Sequence, residues 1–327
     1  MPHPVSLHIS LSPGDLPHAR HILPHQLRAA ASHVSEVVLT VDGVEPDSPD
    51  LGTFFELAEP FRPLCDVWQI RVVDHTEPHR RALSQNVFNS NRPLPRRTYR
   101  RGPCAAYFGG WATTTQPYVF HLDSDMFIGG NLDAWLASSI AVLEASPRVM
   151  ACNPLPGPPR PDGSINQPDL GPMPGVQQSH TFAHFTSRIF LARRADLVAP
   201  QPPLTWSPAP LRLRLRAWLE GLPDLDLPEN LFTKRMQTLH QVRLDHPGDG
   251  SPAFSMHPPH RNDEFYRRLS KFVSRVERND FPDGQRGCYD LNKPLIDWSE
   301  QIAALSQQRW WKVLLRRLTS KRSTPAK

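Results

Sequence analysis

The stretch whose reading decides the fold is Tyr118–Gly130, "YVFHLDSDMFIGG". An apolar run ends in two carboxylates, Asp123 and Asp125, one residue apart, and two glycines follow. Like charges this close raise each other's proton affinity unless positive charge lies beside them. The pair therefore reads as a metal site, as a site answered by arginines, or as a solvated strand exit. Gly129 and Gly130 would let backbone approach a ligand closely.

Upstream, short β-branched runs alternate with helical patterns. "VSLHIS" (Val5–Ser10), "EVVLTVDG" (Glu36–Gly43) and "VWQIRVVDH" (Val67–His75) read as strands preceding the one at Tyr118. Between them "HARHILPHQLRAAASHV" reads as a helix interrupted by Pro24, and a second helix lies near "FFELAEPF". Strands separated by helices predict βαβ units and an α/β fold with a mixed, mostly parallel sheet flanked by helices. Such sheets bind ligands outside the carboxyl ends of their strands. Asp42, Asp74 and the Asp123/Asp125 pair all stand at such ends.

Downstream, "LDAWLASSIAVLEAS" predicts a helix, "RVMACN" a strand, and "FTSRIFLARRADL" a further strand. "PENLFTKRMQTLHQ" predicts a helix started by Pro228, and "EFYRRLSKFVSRV" an amphipathic helix. Residues 153–175 are so rich in Pro and Gly that they predict a long irregular loop on the acceptor side of a site.

The 327-residue chain carries 37 Lys and Arg against 32 Asp and Glu, too small an excess to imply nucleic acid without a clustered patch. Its 4 cysteines form no C-x-x-C pair and read as reduced thiols of a cytoplasmic protein. No apolar run reaches the ~20 residues of a membrane span, and the opening residues do not read as a secretory signal. The 37 prolines keep the elements short.

A D-x-D at a strand end suits Mn²⁺ or Mg²⁺, hard cations that take one or two carboxylates and leave the remaining positions to water and phosphate. "YVFHLDSDMFIGGNLDAWL" resembles the metal-binding segment of GT-A fold, nucleotide-sugar-dependent glycosyltransferases, and the opening βαβ is similar to that of the family-2-like members. The resemblance implies a GT-A domain over residues 1–293, with a nucleotide-sugar half to about residue 150 and an acceptor half from 151. It implies Asp123, Asp125 and His257 as metal ligands, and Ser10, Asp42, Asp74, Asp123 and Ser124 in nucleotide-sugar binding. Arg100 or Arg101, from the run "PRRTYRRGP", would meet base or diphosphate; the alternative for the run is a solvated basic loop.

Glu229 is the implied general base, with Asp226 as substitute; the plainer reading is a first-turn acid facing the helix dipole. The implied reaction moves a sugar from a UDP- or GDP-linked donor to a hydroxyl of a sugar, lipid-linked or small-molecule acceptor, with inversion. Retention is the alternative, and a haloacid-dehalogenase-like phosphatase using Asp123 as nucleophile is a third reading. Residues 294–327 predict a C-terminal amphipathic basic helix. Its Trp310, Trp311, Leu314, Leu315 and Leu318 would pack on the main domain or, alternatively, touch the inner face of a membrane.

Overall fold

The computed structural model describes residues 2–176, 178–246 and 252–307. Its strands are β1 (His3–Leu11), β2 (Val34–Val41), β3 (Val67–Val72), β4 (Tyr118–Asp123), β5 (Phe127–Gly129), β6 (Val149–Asn153), β7 (Leu155–Pro156), β8 (His180–Phe182), β9 (Ile189–Arg193), β10 (Val242–Asp245) and β11 (Phe254–Met256). The helices are α1 (Leu16–Ala30), α2 (Pro49–Ala58), α3 (Glu77–Phe88), α4 (Ala105–Thr113), α5 (Leu132–Ala145), α6 (Arg194–Val198), α7 (Leu211–Leu219), α8 (Pro228–Thr238), α9 (Asp263–Arg278) and α10 (Ser299–Gln307).

Among the described residues an 8-stranded sheet runs β3-β2-β1-β4-β9-β6-β10-β8. The β3-β2-β1-β4 half is parallel throughout, β9 enters antiparallel between β4 and β6, and β8 closes the far edge antiparallel to β10. This is the mixed, mostly parallel α/β sheet that the alternating pattern predicts.

Helices cover both faces. Leu23 and Leu27 of α1, Phe54 of α2 and Trp135 and Leu136 of α5 pack with Phe120 and Leu122 of β4. Phe108 and Trp111 of α4, Val87 of α3 and Phe232 of α8 pack with Val119 of β4 and Phe190 of β9. The period of two along β4 thus sends Phe120 and Leu122 one way and Val119, His121 and Asp123 the other. A smaller 3-stranded sheet, β5-β11-β7, packs on α9 through Phe127, Phe254, Phe265 and Phe272.

Pro24 does not interrupt α1: the helix continues from Leu16 to Ala30. The lost hydrogen bond costs about 3 kcal/mol in an isolated helix, and burial of Leu23, Leu27 and Ala30 against the sheet offsets it. Apart from Asn153, which ends β6, and from β7, residues 153–175 form the predicted irregular segment. Arg160 anchors it by donating to the Arg286 carbonyl at 2.9 Å and to Asn166 Oδ1 at 2.6 Å. All 4 cysteines are free, with Cys65, Cys104 and Cys152 buried. Among the described residues no helix is long and apolar enough to cross a membrane. Of the predicted C-terminal helix, Ser299–Gln307 is helical, and the Trp, Leu and basic positions from Trp310 onward lie outside the described residues.

Candidate active site

At the carboxyl ends of β1, β2 and β4 lies a cleft of about 350 Å³. Ser10, Asp42, Asp123, Ser124, Asp125, Glu229 and His257 all line it, although they come from widely separated parts of the chain. The β4 strand delivers Asp123 to the face shared with α4, where the Tyr107 hydroxyl donates to its Oδ1 at 2.7 Å. The turn after β4 is fixed by Gln26 of α1, whose amide donates to the carbonyls of Asp123 and Met126, each at 2.8 Å. His18, also on α1, lies 3.1 Å from the Ser124 hydroxyl. The turn then feeds β5, which pairs with β11, and so brings His257 at the end of β11 back onto Asp125.

The repulsion between the two acids is answered unequally. Asp125 Oδ2 accepts from Arg261 and lies 3.5 Å from His257 Nε2. Burial opposes its ionisation, but the His257 hydrogen bond and the charges of His257 and Arg261 outweigh burial and hold its carboxyl well below the usual range. Asp123 goes the other way. Burial, then the negative charge of Asp125, push it up to about 7, against the opposing pull of Tyr107, Arg188 and His257.

His257 Nδ1 faces the Asp290 carboxylate at 3.2 Å, the ring stacks on Tyr289, and Nε2 is turned toward Asp125 and Arg188. A carboxylate behind one ring nitrogen fixes the orientation of the other, the arrangement that serves metal-ligating histidines. Two carboxylates and an imidazole are also an oxygen- and nitrogen-donor set that Mn²⁺ or Mg²⁺ accepts. The residues fit such an ion by chemistry. Among the described residues no group of three His, Cys, Asp or Glu side chains is already gathered as a cage, and Arg261 holds the position on Asp125.

Several nominated residues stand elsewhere. Asp74 is half-exposed, accepts from the Thr76 amide at 2.7 Å, and borders a different recess, where it serves the start of α3. Arg101 points to Glu220 at 3.2 Å, and the Arg100 guanidinium lies over the Tyr99 ring. From the same run it is Arg97 that reaches the cleft, 3.1 Å from Asp42 Oδ2. Asp42 also meets His75 at 2.5 Å. Asp226 is buried and accepts from the Leu227 amide, Asn230 and Lys234, which makes it the brace at the start of α8.

Glu229, one residue after Pro228 in the first turn of α8, accepts from the Ser187 hydroxyl at 2.8 Å. It lines the cleft of the aspartates and also a neighbouring cleft of about 410 Å³, as does Arg188. The neighbouring cleft is bordered by Asn153, Gln167, His184, Asn230, Thr233 and Tyr289. Pro154, Pro156 and Gln167 come from the Pro/Gly-rich segment.

Tyr107, Arg188, Arg261 and Gln26 carry no motif of their own. Arg261 follows the histidines of "FSMHPPHRND" and Arg188 opens the run before β9, so their proximity to recognisable elements was the available signal.

No protein-family model and no curated protein matches the chain. Among solved structures, S. aureus TarS is similar at 10% identity and a TM-score of 0.42, covering 87% of this chain and 41% of its own. Glucosyl-3-phosphoglycerate synthase from Mycobacterium tuberculosis, in complex with Mn²⁺, UDP and glucosyl-3-phosphoglycerate, is similar at 13% identity and a TM-score of 0.38, over 85% of this chain and 81% of its own. The glycosyltransferase GlyE of Streptococcus pneumoniae TIGR4 is similar at 10% identity and a TM-score of 0.40, over 97% and 63%. The chain thus spans less than half of the TarS chain.

Proposed function

We propose that the protein transfers a sugar from a nucleoside-diphosphate sugar to an acceptor hydroxyl. One observation carries this reading: Glu229 stands on the wall shared by two clefts, one holding paired carboxylates and arginines, the other offering the amides of Asn153, Gln167 and Asn230 and the hydroxyls of Thr186, Thr233, Ser255 and Tyr289 beside the Arg243–Asp245 pair. In the first cleft, Arg97, Arg188 and Arg261 suit a diphosphate, since guanidinium forks pair with phosphate oxygens. Asp42, directly after β2, would contact the nucleoside.

The acceptor hydroxyl, entering from the second cleft, attacks the anomeric carbon as the bond from that carbon to the diphosphate oxygen breaks. The hydroxyl proton passes to Glu229, whose other oxygen is held by Ser187. The diphosphate leaves with the electron pair, and Arg188 and Arg261 meet its growing charge. In this direct displacement the anomeric configuration inverts. Asp123, Asp125 and His257 would hold the divalent cation, which supplies further stabilisation of charge on the leaving group.

A second reading is favoured by the Arg261–Asp125 ion pair: the arginines alone neutralise the diphosphate, and transfer proceeds without metal. The deciding experiment is thermal stabilisation by UDP, GDP and dTDP, with and without Mn²⁺, in wild type and Asp125→Ala. Stabilisation by one diphosphate that requires Mn²⁺ and disappears in the variant supports the metal-dependent reading. Stabilisation unchanged by chelator supports the second. Indifference to all three nucleotides, together with phosphate release from a phosphomonoester, overturns both. A donor panel with anomeric analysis of the product separates inversion from retention.

A further inference from the structure

Helix α7, Leu211–Leu219, reads "LRLRLRAWL" and has two apolar faces. Leu213 and Ala217 turn inward and pack with Tyr99, Ala209, Leu222 and Leu227. On the other side Leu211, Leu215, Trp218 and Leu219 are exposed to 81%, 62%, 75% and 67%. Their spacing of four, three and one residues sets them in one stripe along the helix. An apolar stripe left in water in this way marks an interaction surface.

The surroundings of the stripe are cationic. Arg92 and Arg214 border a recess with Leu211, Leu215 and Trp218, and both share the single carboxylate of Asp224 at 3.7 Å. Arg101 neighbours Glu220, the Arg100 guanidinium lies over Tyr99, and Arg96, Arg100 and Arg101 are all exposed. Arginines outnumber acids around the stripe, and the acids present are already engaged.

We propose that this face docks on an anionic lipid bilayer. Trp218 and the leucines enter the interfacial zone, and Arg92, Arg100, Arg101 and Arg214 meet lipid phosphates. An apolar face with Trp and Leu beside arginines is the chemistry of a helix that lies in the plane of a membrane surface. A second copy of the chain is the poorer occupant, because a symmetric pairing would set the same arginines against one another.

The buried side of α7, opposite the docked face, leads toward the cleft of the aspartates. The loop that carries Tyr99 also sends Arg97, Gly102 and Pro103 to that cleft, and Leu227 belongs to both places. Binding to lipid does not rest on the transfer reading and is tested without it.

The test is co-sedimentation of the full chain with vesicles of phosphatidylcholine alone and of equal parts phosphatidylcholine and phosphatidylglycerol. Binding to the anionic vesicles should be at least ~10-fold tighter and should weaken as salt is raised. The double variant Leu215→Glu/Trp218→Glu should lose at least ~10-fold of that binding with an unchanged melting temperature. Leu219→Ser provides the same comparison should the double variant fold poorly. Absence of binding to anionic vesicles overturns the proposal. So does binding that survives in the variants, which would place the contact elsewhere in the chain. A concentration-dependent dimer by light scattering that the variants abolish overturns it in favour of self-association.

Discussion

Gln26 is the residue on which the geometry of the aspartate turn depends most directly. It is fully buried on α1 and uses both amide hydrogens, one on the Asp123 carbonyl and one on the Met126 carbonyl. Among the described residues its own Oε1 finds no partner. Gln26→Leu removes two hydrogen bonds worth about 1 kcal/mol each and leaves carbonyl oxygen short of a donor, at a further 1–3 kcal/mol or so. Two features limit the loss: Asp123 O still accepts from the Met126 amide at 3.2 Å, and the orphan Oε1 disappears with the side chain. The net cost is about 2–3 kcal/mol, a fall in melting temperature of about 3–4 °C at this size. Gln26→Glu should be worse at pH 8, since it sets a carboxylate against two carbonyls. There the folded state raises the pKa of the new acid, so its penalty is absent at low pH and grows as pH rises. Thermal melts of the three proteins at pH 5 and pH 8, with and without UDP and Mn²⁺, supply the measurement. Gln26→Leu melting within ~1 °C of wild type would refute the brace, and so would Gln26→Glu being the more stable variant at pH 8. A loosened turn should also reduce the extra stabilisation conferred by nucleotide.

Arg97→Ala should weaken nucleotide binding about tenfold, the loss of one charge-assisted contact, while Arg101→Ala leaves it unchanged; calorimetric titration of UDP distinguishes them. Gly130→Ala should cost about 3 kcal/mol or more, because φ is +82° and the new Cβ would stand 2.1 Å from the Pro252 carbonyl oxygen; the urea midpoint reads this. Glu229→Gln should lower kcat by 10²-fold or more with little change in donor KM, measured on whichever donor the panel identifies.

The parallel half of the sheet was legible because each of its strands is an apolar run bounded by polar turns, and the helices between them keep a helical period. The acids Asp42, Asp123 and Asp125 were legible for the same reason, since a strand end fixes where the next side chain emerges. Strands β8, β10 and β11 are 3–4 residues long, too short for a period to declare itself, and they are held by pairing with distant partners. The arginines divided along the same line. Within "PRRTYRRGP" the resemblance points to Arg100 or Arg101, whereas the tertiary path sends Arg97 to Asp42 and Arg101 to Glu220. Asp74 and Asp226 both stand beside helix starts and bond to groups there. An acid beside a helix start serves the helix as readily as it serves a ligand.

Charge balance decides how the two readings of the cleft separate. Asp42 is met by Arg97, and Asp125 by Arg261 and His257, while Asp123 has the Tyr107 hydroxyl at 2.7 Å and His121 Nε2 at 3.4 Å and is left with its carboxyl pushed up to about 7. The cations of the cleft are thus largely committed before any donor arrives. A nucleoside diphosphate brings two or so further negative charges into the same space, and these must be neutralised at a cost the committed arginines cannot meet without leaving their carboxylates exposed to one another. Asp123, Asp125 and His257 would hold a divalent cation arriving with the diphosphate, whose charge would favour the ionised form of Asp123 and leave Arg261 free for the phosphate. The alternative is that Arg261 abandons Asp125 for the diphosphate and Asp123 stays protonated. The two routes differ in protons: donor binding with metal should release up to about half a proton at pH 7, where Asp123 is about half ionised, and binding without metal should release none. Calorimetric titration of nucleotide in buffers of different ionisation enthalpy reads that number. A release seen equally with Mn²⁺ and with chelator would refute the link between the metal and Asp123.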